Sequence, residues 1–83
     1  NIGIDSNGRI SIGESPRTMS LEVFRATIGI YIANRHPKAA NIRADARGPV
    51  GRLMEVMGVL TESAARQNVE LKLNIIAEPL AKP

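Results

Sequence analysis

The stretch Ala40-Asn41-Ile42-Arg43-Ala44-Asp45-Ala46-Arg47-Gly48-Pro49-Val50-Gly51-Arg52-Leu53-Met54-Glu55-Val56-Met57 changes its hydrophobic period half-way along. Up to Asp45 apolar and polar residues alternate, the signature of a half-buried strand. Beyond Gly48-Pro49, the apolar residues Val50, Leu53, Met57, Leu60 and Ala64 recur at three- and four-residue steps, which predicts a helix. Proline suits the first turn of such a helix, because its missing amide would have no partner there. Gln67-Asn68 ends the helix, since Asn is the usual substitute for Gly in a left-handed C-cap. Val69, Leu71, Leu73 and Ile75 then alternate strictly with Glu70, Lys72 and Asn74, so a strand over Val69 to Ile76 closes a strand–helix–strand unit.

Upstream, Ile2 and Ile4, the turn Asp5-Ser6-Asn7-Gly8, and Ile10 and Ile12 predict a hairpin, with Asn-Gly supplying the positive φ of a tight turn. Gly13-Glu14-Ser15-Pro16 breaks the pattern. A first helix follows, capped by Ser20 or Thr18, with Leu21, Phe24, Ile28, Tyr31 and Ile32 on one face; Pro37 drives His36 out of the helical region and ends it. The order is β-β-α-β-α-β. Strands with one apolar and one polar face predict a two-layer α/β (α+β) sandwich: two helices on one face of a mixed sheet, the other face open. That open face is expected to show Arg9, Ser11, Asn41, Arg43, Glu70, Lys72 and Asn74. Residues 1–78 form one domain in this reading, and 79–83 a tail.

A chain of 83 residues has room for one domain. Phe24 and Tyr31 are its only aromatics, so the core is aliphatic, drawn from ten Ile, six Leu and five Val. The absence of Cys excludes a disulfide framework, a thiolate zinc site and a cysteine nucleophile. No apolar run approaches the roughly 20 residues of a membrane helix. The net charge of +3 is concentrated over residues 35–52, where Arg35, Lys38, Arg43, Arg47 and Arg52 face Asp45 alone. Such a patch suits an anionic partner but lacks the aromatics on which bases stack; a solvated basic surface is the simpler reading.

Catalytic signals are few. His36 is the only imidazole and stands at a helix end, where it faces the negative pole of the helix dipole. No companion ligands stand near it, so neither a metal site nor a cofactor is expected. Asp5 and Asp45 end strands without a paired carboxylate, and Asp5 supports its own turn. No serine has a nucleophile-elbow context, so no enzymatic activity is expected. Gly48-Pro49-Val50-Gly51, flanked by Arg47 and Arg52, has the GxxG form with which KH domains clamp a nucleic-acid backbone. Pro49 removes an amide donor from that loop, and a strand-to-helix turn explains the same residues.

The stretch from Asn41 to Met57 resembles the periplasmic domain of the ExbD/TolR family: a strand ending in Arg43-Ala44-Asp45, a basic residue, a short turn, and a helix carrying the pair Val56-Met57. Asp5-Ser6-Asn7-Gly8-Arg9-Ile10-Ser11-Ile12-Gly13 is similar to the family's early hairpin, and Val69 to Ile76 to its closing strand. Gln67-Asn68 stands where the family usually has Ala-Gly, and Gly48-Pro49-Val50 where Val-Pro-Tyr is common, which leaves the subfamily open.

The resemblance implies a domain in the periplasm, held at the inner membrane by an N-terminal segment absent from this chain; a start at Asn1 rather than Met accords with a piece of a longer protein. It implies a polytopic ExbB- or TolQ-like protein as partner of that segment, and use of the proton gradient for TonB-dependent transport or envelope integrity. The proton-handling Asp of the family lies in that segment, so Asp5 and Asp45 do not inherit its role. The domain itself is then a homodimeric docking module for a TonB- or TolA-like protein or, in TolR-like members, for peptidoglycan, rather than for nucleic acid. Backbone pairing at a sheet edge is the expected mode. Its residues are Val69, Glu70, Leu71, Lys72, Leu73, Asn74 and Ile75, with Ile2 and Ile4 on a second candidate edge. Both strands also read as ordinary sheet members with covered edges. Arg43, Asp45, Arg47 and Arg52 are the expected contacts for peptidoglycan or another anionic partner.

Overall fold

The computed structural model describes residues 1–13 and 17–78. The break at Glu14-Ser15-Pro16 and the tail at 79–83 therefore lie outside the described residues. In chain order the elements are strands β1 (Ile2–Ile4) and β2 (Ile10–Ile12), helix α1 (Leu21–Arg35), strand β3 (Ala39–Asp45), helix α2 (Val50–Arg66) and strand β4 (Lys72–Glu78). The strands form one mixed sheet in the order β2-β1-β3-β4. β1 runs antiparallel to β2 and parallel to β3, and β3 runs parallel to β4. The two-layer α+β architecture expected from the sequence is the one observed.

One side of the sheet carries the core. Ile2, Ile4, Ile10, Ile42 and Ala44 are buried against Phe24, Ile28 and Ile32 of α1 and Val56, Val59 and Leu60 of α2. Phe24 is completely buried, so the single Phe anchors the aliphatic core.

The hairpin turn differs from a two-residue Asn-Gly turn. Asp5 Oδ1 accepts from the amides of Asn7 at 2.9 Å and Arg9 at 2.8 Å, and the Gly8 amide donates to the Asp5 carbonyl at 3.0 Å. Only Gly8 takes a positive φ in this turn, 81°, so the left-handed step is confined to the residue without a Cβ. Asp5 does support its own turn.

α1 starts where the cap predicts: the Ser20 hydroxyl accepts from the Val23 amide at 3.2 Å. At its other end His36 leaves the right-handed region for the left-handed one, φ 45° and ψ 56°, and its amide donates to Ile32. Tyr31, expected on the buried face, is 48% exposed, with the Arg35 guanidinium 6.0 Å from its ring centroid. The face of α2 is also rotated from the expected stripe. Val50 is 71% exposed, whereas Val56 and Val59 are buried with Leu60 and Ala64, and Leu53 and Met57 flank them half-buried. A stripe read at three- and four-residue steps admits neighbouring faces of one helix, and contact with the sheet selects among them.

The last strand begins three residues later than the alternation predicts. Asn68 is left-handed, φ 56°, and the amides of Asn68 and Val69 turn back to the carbonyls of Ala65 and Ala64. This Schellman-type closure commits Val69 to the helix end. Pairing starts with the Lys72 amide on the Lys38 carbonyl at 2.9 Å, one residue ahead of β3, and continues from Ala39↔Lys72.

Candidate functional site

β4 lies at the edge of the sheet and pairs only with β3, over Ala39↔Lys72 to Asp45↔Glu78. Its outer backbone groups therefore have no strand beside them among the described residues. The opposite edge is less accessible: β2 has only three residues, and the Met19 amide donates to the Ile10 carbonyl at 2.8 Å on its outer side. A short, partly covered strand is one way proteins blunt an edge; a seven-residue uncovered one is a template for pairing.

Of the expected edge residues, Lys72, Leu73, Asn74 and Ile75 lie in β4, whereas Val69, Glu70 and Leu71 precede it. Ile2 and Ile4 do not offer a second edge. β1 is paired on both sides, to β2 and β3, and both isoleucines are core residues. Among the expected open-face residues, Glu70 and Arg9 fall outside the strands. Leu73, Ile75 and Ala77 align with Ala40, Ile42 and Ala44 and so share the helix-covered side. Lys72, Asn74 and Ile76 share the open side. The helices do not reach fully across this edge, so Ile75 remains 42% exposed and Ile76 on the other face 47%.

The open side carries a feature that the strand patterns alone do not reveal. Asn74 Nδ2 donates to Asn41 Oδ1 at 3.0 Å, and Asn41 Nδ2 donates to Asn1 Oδ1 at 3.2 Å. Three amides thus run across β4, β3 and the start of β1 as a ladder. Asn41 and Asn74 are both legible as open-face residues; their alignment depends on the register Asn41↔Asn74, which the Asn68 closure and the start of β3 set.

The basic turn proves to be internally compensated. Asp45 is buried, 6% exposed, and accepts from the Arg47 amide at 2.9 Å and from the Arg47 guanidinium at 3.1 and 3.0 Å. The hydrogen bond and then the charge of Asp45 hold the Arg47 guanidinium above its ordinary pKa. Arg52 pairs with Glu55 one turn along α2 at 3.2 Å, and Arg43 is likewise engaged. The four residues expected to contact an anion therefore do not form a cluster of free cations, and Asp45 serves the β3–α2 turn.

Gly48 and Gly51 do not share a loop. Gly51 is inside α2, and the Gly48 amide donates to the Asp45 carbonyl at 2.8 Å. A Cβ on Gly48 would stand 2.8 Å from the Asp5 carbonyl, so this turn packs against the end of β1 rather than projecting toward a ligand. Pro49 occupies the N-cap position, just outside the first helical turn expected for it, with φ −71° and ψ 122°.

At the far end of the sheet an apolar cleft of about 330 Å³ lies between α1 and the starts of β1 and β3, lined by Ile12, Tyr31, Ile32, Ala40, Leu60 and Leu71 among others. His36 is exposed, and the described residues contain no group of three metal-ligating side chains. No helix among the described residues is long and apolar enough to cross a membrane. No protein-family model matches the chain, and no curated protein matches it.

Proposed function

We propose that this chain is a non-catalytic periplasmic interaction domain of the ExbD/TolR kind, which receives an extended segment of a TonB- or TolA-like partner and transmits force to it. The observation that carries this reading is the open edge of β4: seven residues with a strand on one side only. An added strand gains backbone hydrogen bonds along that edge, and its alternate side chains supply specificity. The resemblance supports the same assignment, since the stretch from Asn41 to Met57 spans most of β3, the turn and the first half of α2. Homodimerisation is the competing use of the same edge.

The nucleic-acid reading draws less support from the geometry than the edge does. Gly48 and Gly51 do not make a loop, and Arg47 and Arg52 are paired with carboxylates. A contact with peptidoglycan through Arg43, Asp45, Arg47 and Arg52 has to compete with the same internal pairing.

Titrating the isotope-labelled chain with extended peptides from the periplasmic parts of TonB- and TolA-like proteins tests the assignment. Amide shifts are expected to concentrate over residues 72–78 and the adjoining β3. Shifts scattered over the surface, or none at millimolar peptide, would remove it.

A further inference from the structure

We propose that β4 selects its incoming strand by side-chain chemistry: an Asn or Gln opposite Asn74, an acidic residue opposite Lys72, and a β-branched apolar residue opposite Ile76. This rests on the edge-pairing reading above and names the partner that the edge accepts.

The amide ladder is the first reason. Each Asn donates in the direction of β1 and accepts from the direction of β4, so the Oδ1 of Asn74 is the free end of the chain Asn74–Asn41–Asn1. No donor meets that oxygen among the described residues. Asparagine side chains stack into such ladders when strands are in register, each amide satisfying the next. A fourth amide extends the row. It also suits the ladder whichever way the amides are turned, because Asn and Gln both donate and accept; a carboxylate or an ammonium suits only one sense.

Lys72 is the second reason. It stands two residues from Asn74 on the same side of the strand, is exposed, and has no carboxylate partner among the described residues. An acidic residue directly across from it makes a favourable cross-strand pair, and a basic one an unfavourable pair. On the other side of Asn74, exposed Ile76 calls for an apolar neighbour. On the helix-covered side, half-buried Leu73 and exposed Ile75 call for two more, at the alternate positions of the added strand.

The same pattern argues against a second copy of this chain as the occupant. Antiparallel pairing about Asn74 sets Lys72 opposite Ile76 of the other copy; pairing about Ile75 meets Lys72 with Glu78 but sets Asn74 opposite Ile76; and parallel in-register pairing sets Lys72 opposite Lys72. None of these registers gives Lys72 an acid, Asn74 an amide and Ile76 an apolar neighbour at once. The occupant is therefore a different strand of acidic–apolar–amide–apolar–apolar pattern. It lies antiparallel, the orientation with the better hydrogen-bond geometry, so it reads in the reverse order along its own chain.

Four capped peptides flanked by Thr and Ser test this: Val-Val-Asn-Val-Glu, the same with Val for Asn, the same with Lys for Glu, and the doubly changed form. Affinities are read from amide shifts of the labelled chain. The parent peptide is expected to shift residues 72–78. Each single change should weaken it by about two- to fivefold, and the double change by about tenfold. Valine has the higher strand propensity, so a loss on replacing Asn cannot come from propensity. The Lys72→Glu chain should reverse the preference and favour the Lys peptide, a gain that loss of folding cannot imitate. Equal binding of all four peptides at β4 would overturn the selection while leaving the edge assignment standing. No shift at β4 with any peptide would sink both. Concentration-dependent shifts over residues 72–78 without peptide would identify a second copy as the occupant and overturn the proposal.

Discussion

Asp45 shows how one residue at a strand end organises two elements. Its carboxylate receives the amide and guanidinium of Arg47, and its carbonyl receives the Gly48 amide, so the chain turns directly from β3 into α2. Because Asp45 is buried, its removal leaves donors without partners. Asp45→Ala is expected to destabilise the fold by about 1–3 kcal/mol, read from urea unfolding. Arg47 remains charged throughout the physiological range, because its pKa is raised rather than lowered, so loss of its proton brings no pH dependence there. Gly48 is held by close approach: a methyl group would press on the carbonyls of Asp5 at 2.8 Å and Asp45 at 3.2 Å. Gly48→Ala should cost on the order of 1–3 kcal/mol, by the same assay, since backbone rather than a flexible side chain must yield. Alanine at Gly51, where a Cβ meets nothing within 4 Å, should do no such harm. A nucleic-acid clamp would in addition make both glycines sensitive in a binding assay.

Among the elements, the helices carry residues that nothing in their packing requires. Gly29 in α1 and Gly58 in α2 have open space where a Cβ would go. Gly29→Ala and Gly58→Ala should each stabilise by about 0.5–1 kcal/mol, raising the midpoint of thermal unfolding, because the unfolded chain loses freedom while the helix loses nothing. β4 has the opposite character. It is long, has no strand on its outer side among the described residues and carries two exposed isoleucines, which makes it a template for another strand. Its start was not readable from alternation, because Val69 and Leu71 have the right period but Val69 is held in the helix closure by its amide. The rotated face of α2 has the same kind of cause: Val56 and Val59 were as visible as Val50, and only contact with the sheet separated them.

For the whole molecule, a single small core decides stability. Phe24 is its one aromatic member and is fully enclosed by aliphatic neighbours of both helices and the sheet. A domain of this size has about 4–12 kcal/mol of total stability by the usual per-residue range. Phe24→Ala should remove about 3–5 kcal/mol of it and leave a substantial unfolded fraction at 37 °C, measured by circular dichroism. The substitution lies far from the edge strand in role, so any surviving folded fraction should still bind a strand at β4.

The number and order of elements, the apolar side of the sheet, the Ser20 cap and the Asn68 helix stop were all legible in the residues, because period and capping are local properties of the chain. Which strands stand at the edges was not. Ile2 and Ile4 alternate as Leu73 and Ile75 do, yet β1 lies inside the sheet and β4 at its rim. Strand order and register are set by non-local pairing, through where β3 begins and where α2 releases the chain. That pairing also lines up Asn1, Asn41 and Asn74, residues 33 and 40 positions apart, into a ladder with one open end.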